Sequence, residues 1–298
     1  MKDRSNLVLS DQEKSSSRSS LLEKHPVTAF FILAFLISWG GVFAITLPAG
    51  FPGQGETVDR LYGLVFLPML AGPFLSALFL STVLGGRNGV AALLPRLFIW
   101  HAGLFEYVVS FALIPACALT VLLSLSMVSP EFQPGFLASD SGFAALAPML
   151  MLGIAVGFIE ETGWTSFATS RLLHGRGVLT VAVSLGIVHG LWHLPVVVWA
   201  SGEEYGAAIA PFFLTLWILA LVTMRILAVW IFARTGSTFL AAVAHASHSG
   251  WLFVLWPLAT TPVQDVIWTA AFATVGLATA LTVYLFAPAR SLKTGSSD

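Results

Sequence analysis

Carboxylates and imidazoles occur at three places where the surrounding sequence is almost entirely apolar. They are Glu160 and Glu161 in the first segment, His189 and His193 in the second, and His245, His248 and Ser249 in the third. An ionisable side chain in a membrane-spanning helix is unfavourable by about 2.5–3.5 kcal/mol, so each position is a candidate functional site. Since each group needs partners to offset its desolvation, we expect the three segments to form one buried polar site. Glu106 and Asp265 instead lie near predicted span starts, where we expect their carboxylates to reach water.

This set of side chains is suited to activating water. A carboxylate can accept a proton from water, and an imidazole can stabilise the oxyanion that forms on a carbonyl group. The same residue types bind zinc and leave one position for water, and the candidate ligands are Glu160, His193 and His245. Hydrolysis of a peptide bond is therefore accessible with or without a divalent metal, and both routes stay open.

Each segment taken alone also fits a structural interpretation. Glu160 and Glu161 can be solvated at the end of a span, because neighbours on a helix point about 100° apart. His189 and His193 lie one turn apart and can form a packed polar face, and Pro195 predicts a kink beside them. The third segment is rich in small residues that favour close helix packing, namely Ala241, Ala242, Ala244, Ala246 and Gly250.

The elements that position these groups are predicted to be membrane helices. The 298 residues are 57% hydrophobic and 10% charged, with a mean hydropathy of +0.86, whereas soluble domains carry about 25% charged residues. The apolar runs are about 20 residues long, which is the length that one bilayer crossing requires. The predicted fold class is all-α, a polytopic transmembrane helical bundle with a buried polar site. A net charge of −1 gives no basic face for nucleic acid, and the single cysteine, Cys117, excludes an internal disulfide.

Eight spans are predicted from the apolar windows. They cover residues 27–48, 61–83, 104–128, 143–170, 178–200, 208–233, 238–258 and 263–287. We expect residues 1–25 to be a disordered cytoplasmic tail, 26–288 an integral membrane domain with its core at about 143–258, and 289–298 a cytoplasmic tail. An even number of crossings places both termini on one side, and the odd-numbered loops contain only Arg60 as a cation. Because lysine and arginine accumulate in the cytoplasm, we expect both termini there.

The motif-bearing region resembles the CPBP family of intramembrane endopeptidases, which includes the type II CAAX prenyl proteases and bacterial proteins linked to bacteriocin processing or self-immunity. The family motif EExxWRG followed by an aromatic residue is similar to the segment from Glu160 to Phe167. A motif often written WGLWHLP is similar to the segment from His189 to Pro195, and a histidine followed at i+4 by Asn or Asp is similar to His245 through Ser249. The resemblance covers about residues 155–250.

The resemblance implies an intramembrane endopeptidase that cleaves a membrane-associated peptide or protein within a lipid bilayer, here the inner membrane of a bacterium. It implies Glu160 as the general base that activates water, Glu161 as its supporting acid, and His193 and His245 as the imidazoles that orient water or hold the oxyanion. Substrate or oxyanion support is implied for Trp164, His189, His248 and Ser249. A divalent metal such as zinc remains a possible cofactor.

Three positions depart from the family pattern. Thr165 stands where the family has Arg, His189 where it has Phe or Trp, and Ser249 where it has Asn or Asp. A neutral threonine cannot supply the missing guanidinium, and a serine hydroxyl offers one donor where an amide offers two. These departures support an alternative, a non-catalytic membrane adaptor or bacteriocin self-immunity protein that retains the fold. Arg225 in the sixth span fits a transporter, an ion pair with Glu160 or Glu161, or a snorkelling side chain.

The resemblance also makes a demand on the fourth helix. His193 lies roughly 22 Å beyond the start of its span at 1.5 Å per residue. Glu160 can meet it only if the fourth helix continues to about Leu173, and no proline prevents this. We therefore expect Glu160, His193 and His245 to converge within about 10 Å, a separation that one bridging water can span.

Overall fold

A computed structural model of the protein describes residues 21–138 and 142–287, and these residues form helices without any strand. The all-α bundle is therefore confirmed. The main helices are α1 (Pro26–Ala49), α2 (Gly55–Leu93), α3 (Leu104–Phe111), α4 (Leu113–Ser126), α5 (Leu146–Leu172), α6 (Val178–Trp192), α7 (Leu194–Tyr205), α8 (Leu221–Thr235), α9 (Thr238–Leu255) and α10 (Pro262–Phe286). Shorter helices are Leu21–Lys24, Gly135–Ala138 and Ile209–Phe212, and π-helical turns cover Thr162–Thr169 within α5 and Phe213–Ala220 before α8.

Each predicted apolar segment contains helix, but the helices do not divide into eight equal spans. Among the described residues, six helices are long and apolar enough to cross a membrane, or seven if α3 and α4, bent by 44°, form one span. Helix α6 is apolar but only 15 residues long. The predicted tails fall mostly outside the described residues, except for Leu21–Lys24, which form one helical turn before α1.

Helix α5 continues past the two acids, as the resemblance requires. It ends at Leu172, one residue before the expected end. Its π-helical turn includes a hydrogen bond from the Thr169 hydroxyl to the carbonyl of Trp164, 2.8 Å away and five residues earlier. Such turns inside α-helices are frequent at functional sites. Here the turn follows Glu160 and Glu161 directly, so it shapes the wall of the polar site.

At the kink predicted for Pro195, α6 ends at Trp192 and α7 begins at Leu194, so the regular helix is interrupted for one residue. The break lies at His193, whose backbone N–H donates to the carbonyl of Gly190 at 3.0 Å. Proline has no N–H and crowds the preceding turn, so the helix cannot continue regularly. The carbonyl of Trp192 accepts a hydrogen bond from the Trp39 indole at 2.9 Å, which fixes the break against α1.

Small residues bring the helices that carry the site into close contact. A Cβ atom on Gly157 of α5 would lie 2.5 Å from the Ala242 carbonyl oxygen of α9. A Cβ atom on Gly190 of α6 would lie 2.1 Å from the carbonyl oxygen of Trp217. Neither position has room for a side chain, so the predicted close packing of the small residues in α9 is confirmed.

Glu106 and Asp265 do not reach water, and the expectation that they do is wrong. Glu106 is 7% exposed and accepts a hydrogen bond from Arg234 Nε at 2.7 Å. Asp265 is 5% exposed and accepts from the Tyr205 hydroxyl at 2.5 Å and the Thr260 hydroxyl at 2.7 Å. Both carboxylates replace water with donors from other segments, which connect distant parts of the chain.

Candidate active site

The polar residues of four helices meet in the interior of the bundle. Helix α5 contributes Glu160 and Glu161, α6 contributes His189, α8 contributes Arg225 and α9 contributes His245. All five side chains belong to residues that are at most 2% exposed. Charged groups this deeply buried need ion-pair or hydrogen-bond partners to offset the loss of bulk water.

Glu161 has both of its carboxylate oxygens occupied by donors. Arg225 donates from Nη1 to Oε2 at 2.8 Å and from Nη2 to Oε1 at 2.6 Å, which is a bidentate ion pair. His245 Nδ1 donates to Oε1 at 2.7 Å, and the Thr165 hydroxyl donates to Oε2. With four donors around it, Glu161 is an ionised anchor for three helices and has no oxygen left for a reacting water.

Arg225 places a guanidinium beside Glu161, the second acid of the motif. The sequence left its role open, and the structure identifies it as the ion-pair partner of Glu161. It does not snorkel, since it is 0% exposed. In this protein the arginine comes from α8 rather than from the turn after Glu161, and the short Thr165 side chain donates to the same carboxylate.

The contacts of His189 fix which of its nitrogens carries the proton. Arg225 donates to His189 Nδ1 from Nε at 3.1 Å and from Nη2 at 3.0 Å. Because arginine has no acceptor, Nδ1 must be the unprotonated nitrogen. The proton of the neutral ring therefore lies on Nε2, which is 3.0 Å from Glu160 Oε2 and donates to it.

Glu160 is bonded on one oxygen only. Its Oε2 accepts from His189 Nε2 and, at 3.3 Å, from the indole N–H of Trp164. No described residue donates to its Oε1. The two adjacent acids thus differ in chemistry, since Glu160 retains an oxygen that can bind and deprotonate water while Glu161 does not.

His193 and His245 lie on either side of His189. Their rings are 5.1 and 5.5 Å from the His189 ring, centroid to centroid. His193 Nδ1 donates to the His189 carbonyl at 2.9 Å, and His245 Nδ1 donates to Glu161. The Nε2 atom of each ring therefore carries a lone pair in the neutral form. Glu160, His193 and His245 all adjoin one imidazole, which is the convergence expected from the sequence.

Three tryptophans surround the imidazoles. Trp164 lies 4.7 Å from His189, while Trp192 and Trp217 lie 4.6 and 4.4 Å from His193, between ring centroids. The indole N–H groups of Trp192 and Trp217 are buried and have no acceptor among the described residues. Sequence reasoning missed Trp217, because an aromatic residue in an apolar span carries no signal of its own.

One side of the site lies close to the surface of the bundle. His193 is only partly buried, whereas the five residues of the central network are buried. Its neighbours Leu191 and Leu194 are 43% and 37% exposed. Since these apolar side chains flank the break between α6 and α7, the approach to His193 is from the side of the bundle.

His248 and Ser249 lie outside the hydrogen-bonded network. His248 is 5% exposed, stacks on Phe272 with 6.2 Å between ring centroids, and its Nδ1 has no partner among the described residues. Ser249 forms no hydrogen bond with the described site residues.

The described residues only partly fit a metal site. Ligand atoms of Glu160, His189 and His193 lie within 4.8 Å of one another, whereas the sequence predicted His245 in place of His189. A metal-bound histidine normally donates its second N–H to a carboxylate, carbonyl or water. His189 instead accepts from the Arg225 cation, and this places a positive charge beside the proposed ion. Glu160 and His193 remain as well-supported ligands, and two protein ligands are fewer than a catalytic zinc requires.

Comparison with known proteins supports the relationship suggested by the motifs. Residues 142–251 match the family model described as type II CAAX prenyl endopeptidase Rce1-like. The matched segment contains every site residue described above, including Arg225, and leaves α1 to α4 and α10 outside. No curated protein matches the chain.

Proposed function

We propose that this membrane protein is an intramembrane endopeptidase that uses a glutamate-activated water. The match of residues 142–251 to the model of the type II CAAX prenyl endopeptidase Rce1-like family supports this proposal. The observation that carries the proposal is the difference between its two adjacent acids. Glu161 has both oxygens occupied by protein donors, whereas Glu160 has Oε1 without one. The first is suited to hold the site together and the second to take a proton.

Glu160 acts as the general base. Its Oε1 accepts a proton from water while the water oxygen forms a bond to the carbonyl carbon of the scissile peptide. His189 and Trp164 both donate to Oε2, and so hold the carboxylate in one orientation. The proton held by Glu160 then passes to the leaving nitrogen as the carbon–nitrogen bond breaks. Water and peptide are converted into an acid and an amine, without an acyl-enzyme.

The imidazoles of His193 and His245 position the reacting groups. The lone pair on Nε2 of either ring can accept the second proton of the attacking water and so orient it. When protonated, His245 can donate to the oxyanion, and the carboxylate of Glu161 on its Nδ1 stabilises the imidazolium. The unpaired indole N–H groups of Trp192 and Trp217 can donate to carbonyls of the bound peptide.

Arg225 is a positioning residue in this scheme. It connects Glu161, which holds His245, to His189, which holds Glu160. A single guanidinium thus orients both halves of the site, and it offsets the charge of a buried carboxylate. Arg225 thus supplies a guanidinium to a site whose motif has Thr165 in place of Arg. The presence of Thr165 therefore does not by itself favour the non-catalytic alternative.

The substrate is a membrane-associated peptide that enters from the side. The exposed Leu191 and Leu194 beside His193 suit an apolar or lipidated chain in the bilayer. Both a prenylated peptide and an unprenylated leader peptide, as in bacteriocin processing, are consistent with this site. We place the protein in a bacterial inner membrane with both termini in the cytoplasm, as the distribution of Lys and Arg predicts.

Reconstitution into liposomes tests the function. A farnesylated peptide with a CAAX-type end and its unprenylated counterpart are incubated with the protein, and products are identified by mass spectrometry. We expect the wild-type protein to cleave at least one peptide at a single bond, and His245→Ala to cleave it at least 100-fold more slowly. Failure of the folded wild type to cleave either peptide would support the adaptor alternative.

A further inference from the structure

A basic cavity lies away from the candidate active site, at the start of α1, the C-terminal end of α5 and the loop that joins α5 to α6. Its volume is about 330 Å³, within the range of roughly 300–1,000 Å³ for small-molecule sites. Its polar lining among the described residues consists of Lys24, His25, Thr28, Arg171, His174 and Arg176, none of which is acidic. These residues supply three permanent cations and two imidazoles, and no described carboxylate lines the cavity beside them.

One of these cations is held in place by the protein. Arg171 donates from Nη1 to the Phe167 carbonyl at 3.0 Å, and its guanidinium lies 3.8 Å from the centroid of the Phe167 ring. These contacts use one edge and one face of the guanidinium, so its remaining N–H groups are available to a ligand. Preorganisation of this kind lowers the entropy lost when an anion binds.

The other two cations have no partner among the described residues. Neither Lys24 nor Arg176 forms a hydrogen bond or an ion pair there, and both are exposed. The cavity also contains the first residues of α1, a helix of 24 residues that begins at Pro26. The positive end of its dipole adds to the field of the side chains.

The position of the cavity indicates what kind of anion it binds. Lys24 precedes the first span, Arg171 lies in the last turn of α5, and Arg176 lies between α5 and α6. The three cations thus lie at the ends of three apolar helices. Basic pockets between membrane helices bind the phosphates of anionic lipids.

We propose that this cavity is a binding site for a phosphate-bearing anion, with the phosphodiester of an anionic phospholipid as its first source and a soluble phosphate as its second. Arg171 provides the fixed contact, and Lys24 and Arg176 close on the ligand from the exposed side. The cavity is separate from the glutamates and histidines of the candidate active site, so its binding of an anion does not depend on the proposed peptidase activity.

Native mass spectrometry of the protein released from nanodiscs tests the proposal. The nanodiscs contain equal amounts of phosphatidylglycerol and phosphatidylcholine, and Arg176→Gln is compared with Arg87→Gln. Arg87 is also exposed and also lies in a predicted cytoplasmic loop, but it is not part of the cavity. We expect wild type and Arg87→Gln to retain phosphatidylglycerol preferentially, and Arg176→Gln to lose about fivefold of that preference.

A second arm separates the two sources of phosphate. Inorganic phosphate is added to the protein in a neutral detergent, and its effect on the melting temperature is measured for the same three proteins. Stabilisation of wild type and Arg87→Gln but not of Arg176→Gln, without lipid selectivity in the first arm, would identify a soluble ligand. If Arg176→Gln and Arg87→Gln behave alike in both arms, the cavity is not an anion site and the proposal is overturned.

Discussion

At the scale of single residues, the chemistry depends on how hydrogen-bond donors are divided between two neighbouring acids, since three residues donate to Glu161 and two donate to Glu160. Arg225 and Thr165 donate to Glu161, while Trp164 donates to Glu160. The motif residues Trp164 and Thr165 each lie four positions after the acid they contact. This spacing permits both local contacts, whereas the sequence left the ion pair of Arg225 as one alternative among several, because 64 residues separate it from Glu161.

Replacement of Arg225 tests its role as the substitute for the motif arginine. Arg225→Ala leaves the buried Glu161 carboxylate without its cation, and removing one partner of such a pair costs about 3–5 kcal/mol. We expect a large fall in the melting temperature and in the rate of cleavage. Thr165→Arg in the same chain restores the family arrangement, and we expect the double variant to recover most of the melting temperature.

The double variant provides its own control. Thr165→Arg in the presence of Arg225 places two guanidiniums beside one carboxylate, so it should be destabilising rather than neutral. If the double variant does not have a higher melting temperature than Arg225→Ala alone, the two positions are not equivalent sources of the guanidinium.

Trp164→Phe tests the hydrogen bond to the proposed base. The substitution keeps an aromatic ring against His189 and removes the N–H that donates to Glu160 Oε2. A single hydrogen bond to a charged group is worth about 1.5–3 kcal/mol, so we expect the cleavage rate to fall by roughly 10- to 100-fold. The melting temperature should also fall, because Trp164 is fully buried and the smaller ring leaves a cavity, while circular dichroism should still show a folded helical protein. An unchanged cleavage rate would mean that the contact does not support the base.

At the scale of elements, the site depends on how closely α5 approaches α9 and on the break at His193. The break could be predicted, because Pro195 cannot continue a regular helix. The π-helical turn after Glu161 could not, since nothing in its local sequence distinguishes it from an ordinary helix. The partners of Glu106 and Asp265 were also unpredictable from the sequence, because they depend on the tertiary packing of segments far apart in the chain.

Gly157→Ala tests the contact between α5 and α9. The added methyl group would lie 2.5 Å from the Ala242 carbonyl oxygen, so the helices must separate, and overpacking of this kind costs about 1–3 kcal/mol. The separation would also lengthen the contact between Glu161 and His245, and we expect the cleavage rate to fall together with the melting temperature.

Gly40→Ala in α1 is the matched control. No atom lies within 4 Å of the position of its added Cβ, so the same substitution in another helix should be neutral or slightly stabilising. Equal melting temperatures for the two variants would show that the close approach at Gly157 does not constrain the bundle.

At the scale of the whole molecule, the orientation in the membrane determines which compartment supplies the substrate. The composition identifies a membrane bundle, and the motifs identify the helices that carry the site. The number of crossings is harder to predict, because α6 is short and residues 194–235 form one long helical region. We propose that α6 and α7 together form one broken span and that the chain crosses eight times.

Cysteine labelling tests this orientation. A single cysteine is placed at exposed Arg87 or at exposed Glu203 in a chain that carries Cys117→Ala, and intact cells are treated with a membrane-impermeant thiol reagent. The distribution of cations predicts that the cysteine at 203 reacts in intact cells and that the one at 87 reacts only after permeabilisation. Reaction of the cysteine at position 87 in intact cells would show that the orientation is opposite to the predicted one.

The central claim, that Glu160 takes the proton of the attacking water, is tested most directly by the cleavage rate of Glu160→Gln in liposomes. The amide has the same shape but cannot accept the proton, and loss of a general base lowers a rate by about 10² to 10⁴-fold. Glu203→Gln, an exposed acid far along the chain, is the matched control. We predict that Glu160→Gln remains folded and loses cleavage by at least 100-fold while Glu203→Gln retains it. Cleavage by Glu160→Gln at the wild-type rate would show that Glu160 does not take the proton of the attacking water.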